Sequence, residues 1–117
     1  MALDIEDGDS WLFRELYSVL TAFADKPEST ISRIGNRIAV TEDQANHLHH
    51  FRRSILEKYP EAADLAVMRL AADIDELLDR RSNGSPDYEE GFWTNRAFSE
   101  HPDWQWIRRR AREFLLR

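Results

Sequence analysis

The sequence predicts an all-α fold, a compact antiparallel bundle of four long helices plus one or two short ones. Three observations lead there. Apolar residues recur at spacings of three and four over long stretches, the period of a helix with one buried face. Start and stop signals at Pro27, Thr41, Pro60, Asn83-Gly84 and Pro102 divide the chain into helix-length segments joined by short connections. Nothing reads as a strand–helix–strand unit.

The first helix runs from a cap at Asp9 or Ser10 to about Ala24. Leu12, Leu16, Val19, Leu20 and Phe23 share one face, which Trp11 and Phe13 widen. Pro27 ends or follows it. Between Glu28 and Val40, Ile31, Ile34 and Ile38 fit a short helix, while Gly35-Asn36 between β-branched residues also suits a hairpin turn. A hairpin would put Arg33 on the same face as Ile31, Ile38 and Val40, so helix is favoured.

Thr41 and Gln44 match a capping box, followed by a helix with Ala45, Leu48, Ile55, Leu56 and Tyr59 on one face. Pro60 punctuates and can open the next helix, Glu61 to Arg81. Its stripe of Ala63, Ala66, Val67, Leu70, Ile74, Leu77 and Leu78 is the most regular in the chain. Arg80 and Arg81 suit the C-terminal dipole, and Asn83-Gly84 supplies the stop. Ser85 to Gly91 reads as a loop. Thr94 caps a short helix to Phe98, and His101-Pro102 opens the last one, with Asp103 complementing its dipole. There Trp104, Ile107, Ala111, Phe114 and Leu115 form the core face.

The 117 residues suit a single helical domain, with residues 1–8 as a flexible acidic N-terminus. A formal charge of −6 disfavours the nucleic-acid backbone and anionic membranes. Without cysteine there are no disulfides and no thiolate ligands. The acidic start is not a secretory signal, and no apolar run approaches the ~20 residues of a membrane span, so a cytoplasmic location is expected.

Chemistry-bearing motifs are few. His47 and His50 are neighbours on a helix, and Asp43 reaches His47, but a full ligand set would need a second helix. These read as ordinary imidazoles, and no metal or cofactor is expected. There is no phosphate loop, nucleophile elbow or HExxH helix, so no enzymatic activity is expected. Arg108, Arg109, Arg110 and Arg112 point in different directions round their helix and form no nucleic-acid stripe.

Two surfaces stand out as candidates for partner binding. Opposite the core stripe of the Glu61–Arg81 helix, Glu61, Asp64, Met68, Ala72, Asp75 and Asp79 fall in one row, flanked by Glu76. Its like charges repel and no lysine or arginine in the row compensates. A basic partner would relieve that repulsion, with Met68 as an adaptable apolar contact. On the last helix, Trp106 lies off the core face beside Arg110, a pairing typical of interface hot spots. The opposing readings are a solvated acidic face and a tryptophan packed under Arg110.

The stretch FWTNRAFSEHPDWQWIRRRA, residues 92–111, resembles the C-terminal ends of small bacterial helical proteins. Size, acidity, lack of cysteine and a charged helix face are similar to those of immunity proteins, which protect a bacterium from its own polymorphic toxins. That resemblance implies a protein that docks on a toxin domain with a basic surface and blocks it; it assigns no residues. The alternatives are an adaptor bundle that self-associates or docks in a larger assembly, and a small metal- or ligand-binding bundle.

Overall fold

The computed structural model describes residues 7–34 and 40–116. Among these residues the fold is all-α and has no strand. Four long helices, α1 (Ser10–Ala24), α3 (Val40–Lys58), α4 (Ala66–Arg80) and α6 (Pro102–Leu116), are joined by the shorter α2 (Pro27–Ile34) and α5 (Asn95–Glu100). Short 3-10 turns occupy Asp7–Asp9, Pro60–Asp64 and Glu90–Trp93.

Helix α1 is the centre of the packing, between α3 and α6. Its predicted stripe, Leu12, Leu16, Val19, Leu20 and Phe23, is buried, each large side chain contributing roughly 1.5–3 kcal/mol. The neighbours run in opposite senses. Asp9 meets Tyr59 while Trp11 lies edge-on to Phe51, and Tyr17 meets Phe114 while Phe23 meets Trp104. On α4 and α6, Arg81 pairs with Asp103 and Asp73 approaches Arg110.

Several caps depart from the sequence expectation. Asp9 precedes α1 without capping it. Its carboxylate accepts instead from Tyr59 Oη at 2.6 Å and Lys58 Nζ at 2.7 Å, tying the start of α1 to the end of α3. Pro27 opens α2, whose Thr30 is fully buried and donates to the Ala22 carbonyl at 2.9 Å. The helical reading of 28–40 therefore holds to Ile34; Gly35-Asn36 and Ile38 lie outside the described residues, as do residues 1–6 of the expected flexible N-terminus. Thr41 and Gln44 form no capping box. Thr41 donates to the Trp93 carbonyl at 2.6 Å, and Gln44 donates to Asp43. A tertiary contact has outcompeted the local one: the fully buried Thr41 hydroxyl supplies a donor to a partly buried carbonyl.

The largest correction concerns Glu61 to Arg81. It is not one helix but a 3-10 turn, an extended Leu65 (φ −68°, ψ 143°) and then α4. The extended residue resets the helical phase. Ala62 is buried while Ala63 and Ala66 are exposed, and Met68 turns inward to 2% exposure. From Val67 onward the stripe through Leu70, Ile74 and Leu78 is core, as expected.

The segment after α4 builds an aromatic box. Gly84, at φ +96°, makes a turn that L side chains resist. Phe92 stacks on Trp104 at 4.8 Å, and Phe98 and Trp93 meet Trp104 edge-on. Both indole N–H groups find backbone carbonyls: Trp104 donates to Phe92 at 2.8 Å and Trp93 to Arg81 at 2.7 Å. Thr94 caps α5 by accepting from the Ala97 N–H, and His101 Nδ1 accepts the Asp103 N–H at the start of α6, both as expected.

Of the arginine run of α6 only Arg108 is internal; Arg109, Arg110 and Arg112 are exposed. Arg108 is 8% exposed, donates to the Phe98 carbonyl near the end of α5, and lies over the Phe98 ring. Arg112 donates to the Ala24 carbonyl that ends α1, and Gln105 donates to that of Glu100. One side of α6 thus delivers donors to the C-terminal carbonyls of two helices, where cations are favoured. Burial and the nearby Arg112 push the Arg108 pKa below its ordinary value, opposed by Glu28.

Candidate functional site: an acidic cleft beside α3 and α4

A cleft of about 540 Å³ opens between α3, α4 and the segment that follows α4. Four carboxylates line it: Glu42 from α3, Asp75 and Asp79 from α4, and Glu90 from the 3-10 turn before α5. Tyr88, 44% exposed, and the half-buried Trp93 form its aromatic side. Among the described residues no lysine or arginine lines the cleft, and the one basic side chain there is His49.

Each wall has a physical origin. Ile74 and Leu78 anchor α4 in the core, and Asp75 and Asp79, each one residue further on, fall at the edge of that buried face, where with Leu78 they line the cleft. The start of α3 is fixed by Asn95 Oδ1, which accepts the Val40 N–H at 3.0 Å, and by the Thr41–Trp93 bond, so Glu42 and Trp93 are held together. Asp75 is already engaged: Arg52 Nη1 reaches its Oδ2 at 3.0 Å and His49 Nδ1 lies at 3.1 Å. Arg52 Nε is buried with no hydrogen-bond partner. Glu42, Asp79 and Glu90 are exposed, and among the described residues no cation pairs with them.

The residues expected from sequence to bind a partner are scattered. Asp75 and Asp79 line the cleft, and the exposed Glu76 sits beside it with Asp79 in a shallow depression. Glu61 and Asp64 are exposed in the 3-10 turn before α4, and Asp64 lines a separate groove with Asp73 and Arg110. Met68 belongs to the core and makes no surface contact. The expected acidic row therefore does not exist as one surface, because Leu65 breaks the phase. Trp106 is half-buried against the core, with the Arg110 guanidinium 5.7 Å from its ring centroid. Arg110 also lies 4.0 Å from both Asp73 and Glu113. It is on the α4–α6 side and does not contribute to the cleft.

Sequence reasoning did not find Glu42, Tyr88, Glu90 or Trp93. The acids flanked by aromatics in YEEGFW were the available signal, but only tertiary packing brings them to α3. His47 approaches Asp43 at 3.8 Å, and His50 lies against Phe51. Among the described residues no group of three or more side chains is arranged to hold a metal, and no hydroxyl is hydrogen-bonded to His49 or His101. No described helix is long and apolar enough to cross a membrane. What the cleft can do chemically is attract and hold a cation against aromatic surface.

No protein family, curated protein or solved structure matches this chain.

Proposed function

We propose that this protein is a non-enzymatic binding module of the toxin-neutralising kind, docking its α3–α4 cleft on the basic surface of a cognate bacterial toxin. The observation that carries the reading is the cleft itself: Glu42, Asp79 and Glu90 without cationic partners among the described residues, beside Tyr88 and Trp93. A cleft of one sign focuses the field and speeds the approach of an oppositely charged partner, while aromatic side chains supply affinity at short range. Toxins acting on nucleic acids or nucleotides present basic clefts, and a protein of charge −6 complements them. The likeness to immunity proteins in size, acidity and lack of cysteine supports the immunity class among acidic binding modules.

The test is co-expression with the protein encoded by the neighbouring open reading frame, together with a binding measurement on the purified pair. Rescue from toxicity is expected, with an association rate that falls steeply as salt rises. A neighbour that is not toxic, or a toxic one that this protein neither binds nor neutralises, would sink the reading.

A self-associating adaptor is the second reading, favoured by Trp11, which is 45% exposed on α1 beside Phe51. Sedimentation over a wide concentration range separates the two. Self-association through Trp11 would be insensitive to salt and lost in Trp11→Ala.

A further inference from the structure

Glu89 stands between two residues of the cleft, Tyr88 and Glu90, but its own side chain faces the opposite way. Its carboxylate meets His101 Nε2 at 2.6 Å. The other ring nitrogen, Nδ1, accepts the Asp103 N–H at 3.0 Å. That pattern assigns the ring proton to Nε2, so His101 donates to Glu89 while it caps α6. The imidazole is fixed by Phe92, against which it lies edge-on at 5.1 Å, and Phe92 is fully buried. His101 is therefore a rigid post rooted in the aromatic box.

The segment from Ser82 to Glu90 has little else to hold it. Asn83, Gly84, Pro86, Asp87 and Tyr88 are exposed. Its own bonds are local turns, Ser85 N–H to Ser82 and Tyr88 N–H to Ser85, both at 3.1 Å. Arg81 Nη1 adds a long bond of 3.4 Å to the Asp87 carbonyl. Among the described residues, Glu89–His101 is the only side-chain to side-chain hydrogen bond or ion pair joining 82–90 to the rest of the fold.

We propose that Glu89–His101 is a positioning contact for the cleft: it orders 87–91 and so holds Tyr88 and Glu90 on the rim in a binding-competent arrangement. What the rim is ordered for rests on the proposed function above; the ordering itself does not. A rim that is only fractionally in place reduces affinity by that fraction, without any change in the groups that touch the partner.

The experiment uses four variants of the full chain. Glu89→Ala removes the acceptor, and Glu89→Gln keeps one. His101→Asn keeps a side-chain cap for the Asp103 N–H but is too short to reach Glu89. The fourth combines Glu89→Ala with His101→Asn. Amide hydrogen exchange over 87–91 reports order, and titration with a synthetic arginine homopeptide reports the cleft. Glu89→Ala and His101→Asn are each expected to speed exchange at 87–91 and weaken peptide binding by about threefold to tenfold. The double variant should be no worse than either alone, and Glu89→Gln should recover most of the loss. Unchanged exchange in both single variants, effects that multiply in the double variant, or faster exchange with unaltered affinity would each overturn the proposal. If the unaltered protein binds no arginine peptide, the proposed function of the cleft fails, and the exchange arm alone decides whether the contact orders the rim.

Discussion

Asp75 of α4 accepts the guanidinium of Arg52 from α3 at 3.0 Å, and this pair ties the two helices together behind the acidic cleft. An acid that reads in sequence as an uncompensated surface charge is a structural anchor, with its side chain only 15% exposed. Its neighbour one turn on, Asp79, is exposed and has no such partner among the described residues.

The two acids should therefore part company on mutation. Asp75→Ala leaves Arg52 half-buried without its carboxylate and is expected to cost about 1–3 kcal/mol in denaturant unfolding. Asp79→Lys should change stability by less than about 0.5 kcal/mol while slowing association with a basic partner. The double replacement of both by lysine is expected to destabilise the fold, through the loss of the Arg52–Asp75 pair. Equal stabilities for Asp75→Ala and Asp79→Lys in a urea titration would refute this assignment.

Acid should loosen the junction of α1 and α3. Hydrogen bonds from Lys58 and then Tyr59 hold the Asp9 carboxyl below its ordinary value of 3.8, against an opposing effect of burial. A carboxylate with a depressed folded pKa stabilises the fold fully above its unfolded value, and that contribution fades as pH falls through the lower, folded one. Stability against pH should thus decline on the acid side of 3.8, and Asp9→Asn should flatten that part of the curve. An unaltered acid limb in Asp9→Asn would show that other carboxylates dominate.

Thr41 should behave as a tertiary donor and not as a helix cap. Thr41→Val keeps the shape but leaves the Trp93 carbonyl without its 2.6 Å donor, for a loss of about 1–3 kcal/mol. Thr41→Ser, which retains the hydroxyl, should recover part of it. Thermal melting of the three proteins measures the difference, and a melting temperature of Thr41→Val equal to that of the unaltered chain would contradict it.

The arginines of α6 should not be interchangeable. Arg108→Ala deletes a buried stem and the donor to Phe98, with an expected cost of about 2–3 kcal/mol. Arg109, exposed on the same helix, should tolerate alanine within about 0.5 kcal/mol. Chemical denaturation of the two variants side by side ranks them, and a reversed order would remove the buried role of Arg108.

Much of this architecture was legible in the residues. The stripe of α1, the cap at Thr94 and the His101-Pro102 start of α6 follow from local periodicity and capping chemistry, which operate within a few residues. What escaped depends on partners far along the chain. The phase of Glu61 to Met68 is broken by an extended Leu65 that no periodicity announces, since alanines and acids around it fit a helix equally well. The cleft escaped for a related reason. Glu42 and Glu90 are brought together by Thr41 and Trp93, whose bond spans 52 residues. The bonds of Arg108 and Arg112 were not legible because their acceptors are backbone carbonyls, which every residue carries.

The bond between Arg112 and the Ala24 carbonyl closes a separation of 88 residues. Synthesis imposes a waiting period on α1: one flank of its apolar stripe emerges early and stays wet until α6 has been made. At ribosomal speeds that interval is roughly 5–20 s, long against the microseconds in which a helix forms. During it the nascent chain carries a sticky half-covered helix, a natural client for a chaperone and the place where a slow ribosome would do most harm.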